Sequence, residues 1–202
     1  MKKTGFTLTE VLITLGIVGV VAAITLPTLS TSTSNAQIGP KLAKAVTVFE
    51  QANAAMLAAE GVDSIQEAGL WMRESNHANK LNKHMKIVKI YASDEFQTKD
   101  GIFYRIVHED TTINTTYPTY KQKIGYVFID INGLEGRPNQ DGTDRFYFYL
   151  SNDGSLTPYG STGLFYEDDK TWKDKCRVGV TPEDARYCAG HIFENNLKVL
   201  YQ

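Results

Sequence analysis

Charge is almost absent from the first forty residues. Between Lys3 and Lys41 the only formally charged side chain is Glu10. A solvated amphipathic helix, which needs a charged or polar face, is therefore excluded over most of this stretch. Cysteine is scarce: Cys176 and Cys188 are the only two. A four-cysteine zinc site cannot be built from them, and they are too few for a densely stapled secreted scaffold, whereas one disulfide is complete. The four histidines, His77, His84, His108 and His191, lack zinc-protease spacing, and there is neither a phosphate-binding glycine loop nor a serine in a nucleophile elbow. Neither sign of charge dominates. A formal net charge of -2 gives no bulk electrostatic reason for binding nucleic acid. No repeat of solenoid length occurs. The 202 residues are enough for one domain of ordinary size with an appendage.

What is present at the start is an apolar run, "GFTLTEVLITLGIVGVVAAITLP", from Gly5 to Pro27. As a helix, Phe6 to Leu29 spans about 36 Å at roughly 1.5 Å per residue, against a bilayer hydrocarbon core of about 30 Å. Lys2 and Lys3 precede it and no Lys or Arg follows until Lys41, which predicts a cytoplasmic N-terminus and an extracytoplasmic remainder. Both cysteines then lie on the oxidising side. Three readings of the run stand together: a secretory signal cut near Val20–Ala23, a plain membrane tether, or a retained helix with another purpose. Neither of the first two explains a carboxylate at residue 10.

The stretch Lys2 to Pro27 resembles the N-terminus of type IV pilins and of the pseudopilins of type II secretion. It has a short basic leader ending in Gly, then Phe, then Thr-Leu-Thr-Glu, then an apolar helix. The resemblance implies that a prepilin peptidase cuts between Gly5 and Phe6 and that the new amine is methylated. It implies that the carboxylate of Glu10 meets the Phe6 amine of a neighbouring subunit during assembly, because neither charge is tolerated unpaired in lipid. It also implies that the segment around Gly16, Gly19 and Pro27 loosens in the filament, in keeping with the low helix propensity of Gly and Pro. The partners that follow are further copies of the chain, other pilin-like subunits, the peptidase and an inner-membrane assembly platform. The expected location is the inner membrane, single-pass, with the globular part outside, and after assembly a periplasmic pseudopilus or a cell-surface pilus.

Beyond the membrane run, Leu42, Val46, Phe49 and Met56 recur at helical spacing with Ala52, Ala55 and Ala59 alongside, while Lys41, Lys44, Glu50 and Gln51 should stay wet. Gly39-Pro40 predicts a bend or break near residues 30 to 40. The helix should end near Gly61. Ser64 and Glu67 have capping-box spacing and predict a second helix continuing toward Met85. "IFYRIV", "IGYVFIDI" and "RFYFYL" then read as three antiparallel strands. Thr181-Pro182-Glu183-Asp184 predicts a short C-terminal helix carrying Cys188. Helix first and sheet after indicates an α+β fold, which again resembles that of the pilins. The expected divisions are a leader at 1–5, a transmembrane and assembly helix at 6–29, the packed part of the long helix at 30–61, and a globular extracytoplasmic domain at 62–202.

Two surface features invite ligands. Asp130, Asn132, Asn139, Asp141 and Asp144 bring hard oxygens together with glycines, as calcium prefers, although Asn-Gly and Asp-Gly are equally ordinary turn formers. The EF-hand spacing and its terminal Glu are lacking. Major pseudopilins carry a calcium-bound loop near their C-terminal strands, so the resemblance adds calcium as a candidate cofactor. Lys80, Lys83, His84, Lys86 and Lys89 form a basic stretch that reads as a solvated helix face rather than a nucleic-acid contact. The function expected is mechanical rather than enzymatic: a structural subunit of a type II secretion pseudopilus or a type IV pilus. A membrane-anchored extracytoplasmic binding domain or enzyme that does not polymerise is the alternative.

Overall fold

The computed structural model describes residues 7–70, 76–108, 123–161, 172–176, 181 and 183–201, without the side chains of residues 24–34, 123, 172 and 174. The chain divides into two compact units, Met1–Gln37 and Ile38–Gln202. Helix α1 covers Leu8–Glu60 and α2 covers His77–Leu81. The strands are β1 (Ile87–Ala92), β2 (Glu95–Thr98), β3 (Phe103–His108), β4 (Lys123–Asp130), β5 (Arg145–Ser151) and β6 (Leu156–Pro158). Helix α3 (Trp172–Lys175), a 3-10 turn (Asp184–Tyr187) and α4 (Cys188–Glu194) complete the order. This is the α+β architecture of a pilin-like chain: long helix, antiparallel sheet, short C-terminal helix.

The backbone is helical at Gly39 and Pro40, where a break was expected. The glycine serves packing instead. A Cβ built on Gly39 would collide with the carbonyl oxygen of Leu197, so the missing side chain lets the C-terminal tail lie against the helix. Helix α1 stops where predicted, through a Schellman motif. Gly61 adopts φ 69, the Val62 N–H reaches back to the Leu57 carbonyl at 3.1 Å, and the Gly61 N–H to that of Ala58 at 3.3 Å. Leu42, Ala45, Val46, Phe49, Ala52 and Met56 are buried on one face. Ala55 and Ala59 are exposed, and Glu50 is half-buried because its Oε1 accepts the Leu156 N–H at 2.8 Å, tying β6 to α1.

Ser64 and Glu67 do form side-chain caps, but the helix they should start does not follow. The Glu67 N–H donates to Ser64 Oγ at 3.2 Å and the Asp63 N–H to Glu67 Oε2 at 3.1 Å. Gly69, at φ 72, then turns the chain. The next described element is the short α2. The basic stretch is therefore not one helix face: Lys80 lies in α2 and bridges to Glu60 at 2.8 Å, whereas Lys89 lies in β1.

Among the described residues the sheet has six strands rather than three, in the order β1-β2-β3-β4-β5-β6, each antiparallel to its chain neighbours. Strands β3, β4 and β5 are the three read from sequence. Their alternation places Tyr104, Ile106, Val127, Ile129, Phe146 and Phe148 in the core shared with Phe49 and Met56 of α1. Burying each large apolar side chain contributes on the order of 1.5 to 3 kcal/mol. Stacked rings of Phe49, Tyr104 and Phe96, with centroids 5.6 and 5.2 Å apart, run from helix to sheet. The Tyr104 hydroxyl, which cannot stay unpaired there, donates to the Ala45 carbonyl at 3.1 Å.

Candidate functional site

Gly5 and Phe6 lie outside the described residues, so the site begins one residue later. Thr7 and Glu10 form a reciprocal capping box. Glu10 Oε2 accepts both the Thr7 N–H and the Thr7 hydroxyl at 2.8 Å, and the Glu10 N–H donates to Thr7 Oγ1 at 3.3 Å. Oε1 receives no hydrogen bond among the described residues and stays available to a second cation. The sequence reading treated Glu10 as a solitary acid. Its [ST]-x-x-[DE] spacing ahead of an apolar run was the signal that could have revealed the cap.

After the box, α1 is apolar all round. Leu8, Leu12, Ile13, Leu15, Ile17, Val18 and Val20 are each more than half exposed within the chain. Such a surface calls for lipid or neighbouring helices. Thr14 fits because its hydroxyl returns to the Glu10 and Val11 carbonyls at 2.9 and 3.0 Å. Gly16 and Gly19 sit in regular helix with nothing within 4 Å of a built Cβ, and Pro27 also lies in helical backbone. Among the described residues no helix is long and apolar enough to cross a membrane. The apolar side chains described end at Ala23, short of the roughly 20 residues a span needs.

The five oxygen-bearing residues do meet at one end of the sheet, around Asp144 rather than evenly. Asp144 is buried and collects N–H groups: Gln140 on Oδ1 at 2.6 Å, Asn139 and the Asn132 amide on Oδ2 at 2.7 and 3.0 Å. Asp130 holds Arg145 Nε at 3.3 Å, and Asp141 lies 3.8 Å from Arg186 Nε and accepts the Tyr147 hydroxyl. Burial pushes both the Asp130 and Asp141 carboxyls up, against the downward pull of those neighbours. Among the described residues no three acidic, histidine or cysteine side chains converge as a metal cluster. Two oxygens nevertheless stand out: Asn132 Oδ1 and Asn139 Oδ1 are buried without a hydrogen bond among the described residues. Their donor set with Asp144 fits calcium chemistry, whereas the arginines on Asp130 and Asp141 draw those carboxylates away.

Cys176 and Cys188 are bonded, with Cα atoms 5.1 Å apart, closing the end of α3 onto the start of α4. The predicted cap is present here: the Asp184 N–H donates to Thr181 Oγ1 at 3.3 Å. The disulfide backs the oxygen-rich loop, since Gly142 abuts Ala185 and Cys188 while its carbonyl accepts the Tyr201 hydroxyl at 2.6 Å. Reduction, or Cys188→Ser, is expected to lower stability by about 3 kcal/mol in the chain-entropy account. Thermal melts with and without reductant measure it.

Sequence reasoning missed a buried histidine cluster. His77 is fully buried, and its Nε2–H donates to Asn53 Oδ1 at 3.0 Å. That direction follows because the Asn53 amide N–H groups are directed to the Phe49 and Gly154 carbonyls. Among the described residues His77 Nδ1 has no hydrogen-bond partner. The His77 and His108 rings stack at 5.8 Å, and His108 Nε2 lies 3.6 Å from Asp94. Burial, reinforced by His108 and Lys80 and opposed by Asp94, holds the His77 pKa down at about 3.

With this geometry in place, comparison with known families adds one match. Residues 1–26 match the prokaryotic N-terminal methylation motif. The match covers the stretch whose sequence resembles the class III signal peptide of type IV pilins and pseudopilins, and the Thr7–Glu10 box stands inside it. No curated protein and no solved structure matches the chain.

Proposed function

We propose that the chain is a structural subunit of a type II secretion pseudopilus or a type IV pilus. Prepilin peptidase cuts between Gly5 and Phe6, the Phe6 amine is methylated, and the apolar start of α1 holds the subunit in the inner membrane with residues 62–202 outside. From there the assembly platform draws it into a filament with further copies and other pilin-like subunits. The observation that supports this reading is Glu10: the only charged side chain of the apolar first part of α1, before Lys41, capping Thr7 with one oxygen and leaving the other for a neighbour's amine. Mass spectrometry of the mature N-terminus tests it. A methylated Phe6 is expected. An intact Met1 or a cut near Ala23 favours the alternative, a membrane-anchored binding domain or enzyme that does not polymerise.

These two amide oxygens, of Asn132 and Asn139, favour a second element, calcium in the loop from Asp130 to Asp144. Asn132, Asn139 and Asp144 would hold the ion, which would lock the loop against the disulfide, and such a site fits a pseudopilus. Added calcium is then expected to raise the melting temperature and chelation to lower it, with Asp144→Asn insensitive to both. No change on chelation removes the metal and leaves a turn organised by the Asp144 carboxylate alone.

A further inference from the structure

The sheet face turned away from α1 is not the polar surface expected of a solvated antiparallel sheet. Register places Arg105, Phe128 and Tyr147 side by side across β3, β4 and β5, with Val107, Tyr126 and Tyr149 in the next row. Tyr159 packs against both Tyr126 and Tyr149, with centroids 6.1 and 4.9 Å away. Except for Tyr149, these residues line a groove of about 330 Å³ together with Tyr159 and Arg186. Its floor is aromatic.

Each end of the floor carries an ion pair with its arginine uppermost. Arg105 Nε meets Glu95 Oε1 at 2.7 Å, and its guanidinium lies 5.8 Å from the Phe128 ring. Arg186 Nε lies 3.8 Å from Asp141 Oδ2, and its guanidinium is 5.6 Å over Tyr147. The two arginine side chains remain 47% and 54% exposed, so their terminal N–H groups can still donate outward. Both ends therefore offer donors and carboxylate acceptors together.

The charge balance decides the ligand class. Three arginines, Arg105, Arg186 and Arg145, whose guanidinium also lies 5.8 Å from the Phe128 ring, pair with Glu95, Asp141 and Asp130 and sum to zero, so among the described residues the groove shows no uncompensated positive charge by which a polyanion is held. What it fits is a molecule with apolar faces to lay on rings and hydroxyls that both donate and accept. We propose that this groove binds a neutral pyranose carbohydrate, stacked by its C–H face on Phe128, Tyr147 and Tyr159 and hydrogen-bonded at its ends by the Arg105–Glu95 and Arg186–Asp141 pairs. The volume lies near the lower end of the roughly 300 to 1,000 Å³ of small-molecule sites, the size of one or two sugar rings.

The full-length protein, in a detergent without a sugar headgroup, tests this by saturation-transfer NMR with cellobiose, maltose and lactose, and with oligothymidylate as the polyanion. At least one disaccharide should show transfer to its ring C–H protons with a millimolar dissociation constant. Arg186→Ala, at an exposed position, and Tyr147→Ala, checked for an unchanged circular dichroism spectrum, should each weaken it by about tenfold or more. No transfer to any of the three sugars, or transfer unchanged by Arg186→Ala, overturns the proposal. So does oligothymidylate binding that displaces the sugar and collapses with salt. Filament formation is read separately, so failure here leaves the subunit reading intact.

Discussion

Glu10→Gln is expected to stop filament formation as completely as Glu10→Ala, while Thr7→Val is expected to leave most of it. The contrast separates the cap seen in the structure from the pairing proposed with a neighbour's amine. As a cap, Glu10 presents Oε2 to the Thr7 N–H and hydroxyl. Gln is an accepted residue at that position of a capping box, so the neutral amide preserves the cap and removes only the charge. Thr7→Val does the reverse, deleting the hydroxyl and keeping the carboxylate. Losing a cap costs about 1 kcal/mol, but leaving one charge of a desolvated pair alone costs about 3 to 5. The second figure corresponds to more than a hundredfold in each subunit contact, at about 1.4 kcal/mol per factor of ten. The measurement is sheared filament yield, with the amount of processed subunit in the membrane as control. If Glu10→Gln assembles and Thr7→Val does not, Glu10 is a helix cap and the assembly role falls.

Acid is expected to destabilise the globular part through His77. Unfolded, this histidine titrates near 6.5, and folded near 3. The unfolded chain therefore binds the proton more readily, and stability falls as pH drops from about 6.5 toward 3, levelling off below. The total loss is on the order of 5 kcal/mol, comparable with the whole stability of a small domain. The physical cause is local: protonation would place a charge on Nδ1, which has no acceptor among the described residues, beside the stacked ring of His108. Asp94 offsets part of this and Lys80 adds to it. Denaturant melts across this pH range measure the slope. His77→Gln, whose amide can still donate to Asn53 Oδ1, should flatten it. An unchanged slope in that variant would place the acid sensitivity elsewhere.

The parts of the molecule that could be read from sequence are those where one face is wet and the other buried. Strands β3, β4 and β5 announce themselves because their alternate residues pack on α1, and the α1 stripe from Leu42 to Met56 does so for the same reason. Strand β1 does not, since nearly all of it is exposed on both faces and no alternation is imposed. Strand β6 is three residues long, too short for a period. At Ser64 the cap was legible, but Gly69 at φ 72 turns the chain a few residues on, so the helix it should start does not form among the described residues. Gly39 was read as a breaker because sequence cannot show what approaches a missing side chain. Here it is the Leu197 carbonyl. In the candidate site, the clustering of Asp130 to Asp144 was legible, but not that Asp144 alone gathers the N–H groups. The His77 cluster had no signal, because its members come from α1, α2 and β3 and from the turn between β1 and β2.

Among the described residues every strand pairs with its neighbours in the chain, so β1 and β6 form the two margins of the meander, and they are treated differently. One is curtailed, β6 being only three residues long. The other, β1, is longer and carries exposed Val88, Ile90 and Tyr91. It is interrupted by two register shifts against β2, and Lys89 lies 4.4 Å over the Tyr91 ring. Irregular hydrogen-bonding rims and a lysine are the means by which proteins deter sideways strand pairing. For a subunit of the proposed filament, crowded against identical copies, this rim would leave edge-to-edge sheet pairing a poor competitor to ordered stacking.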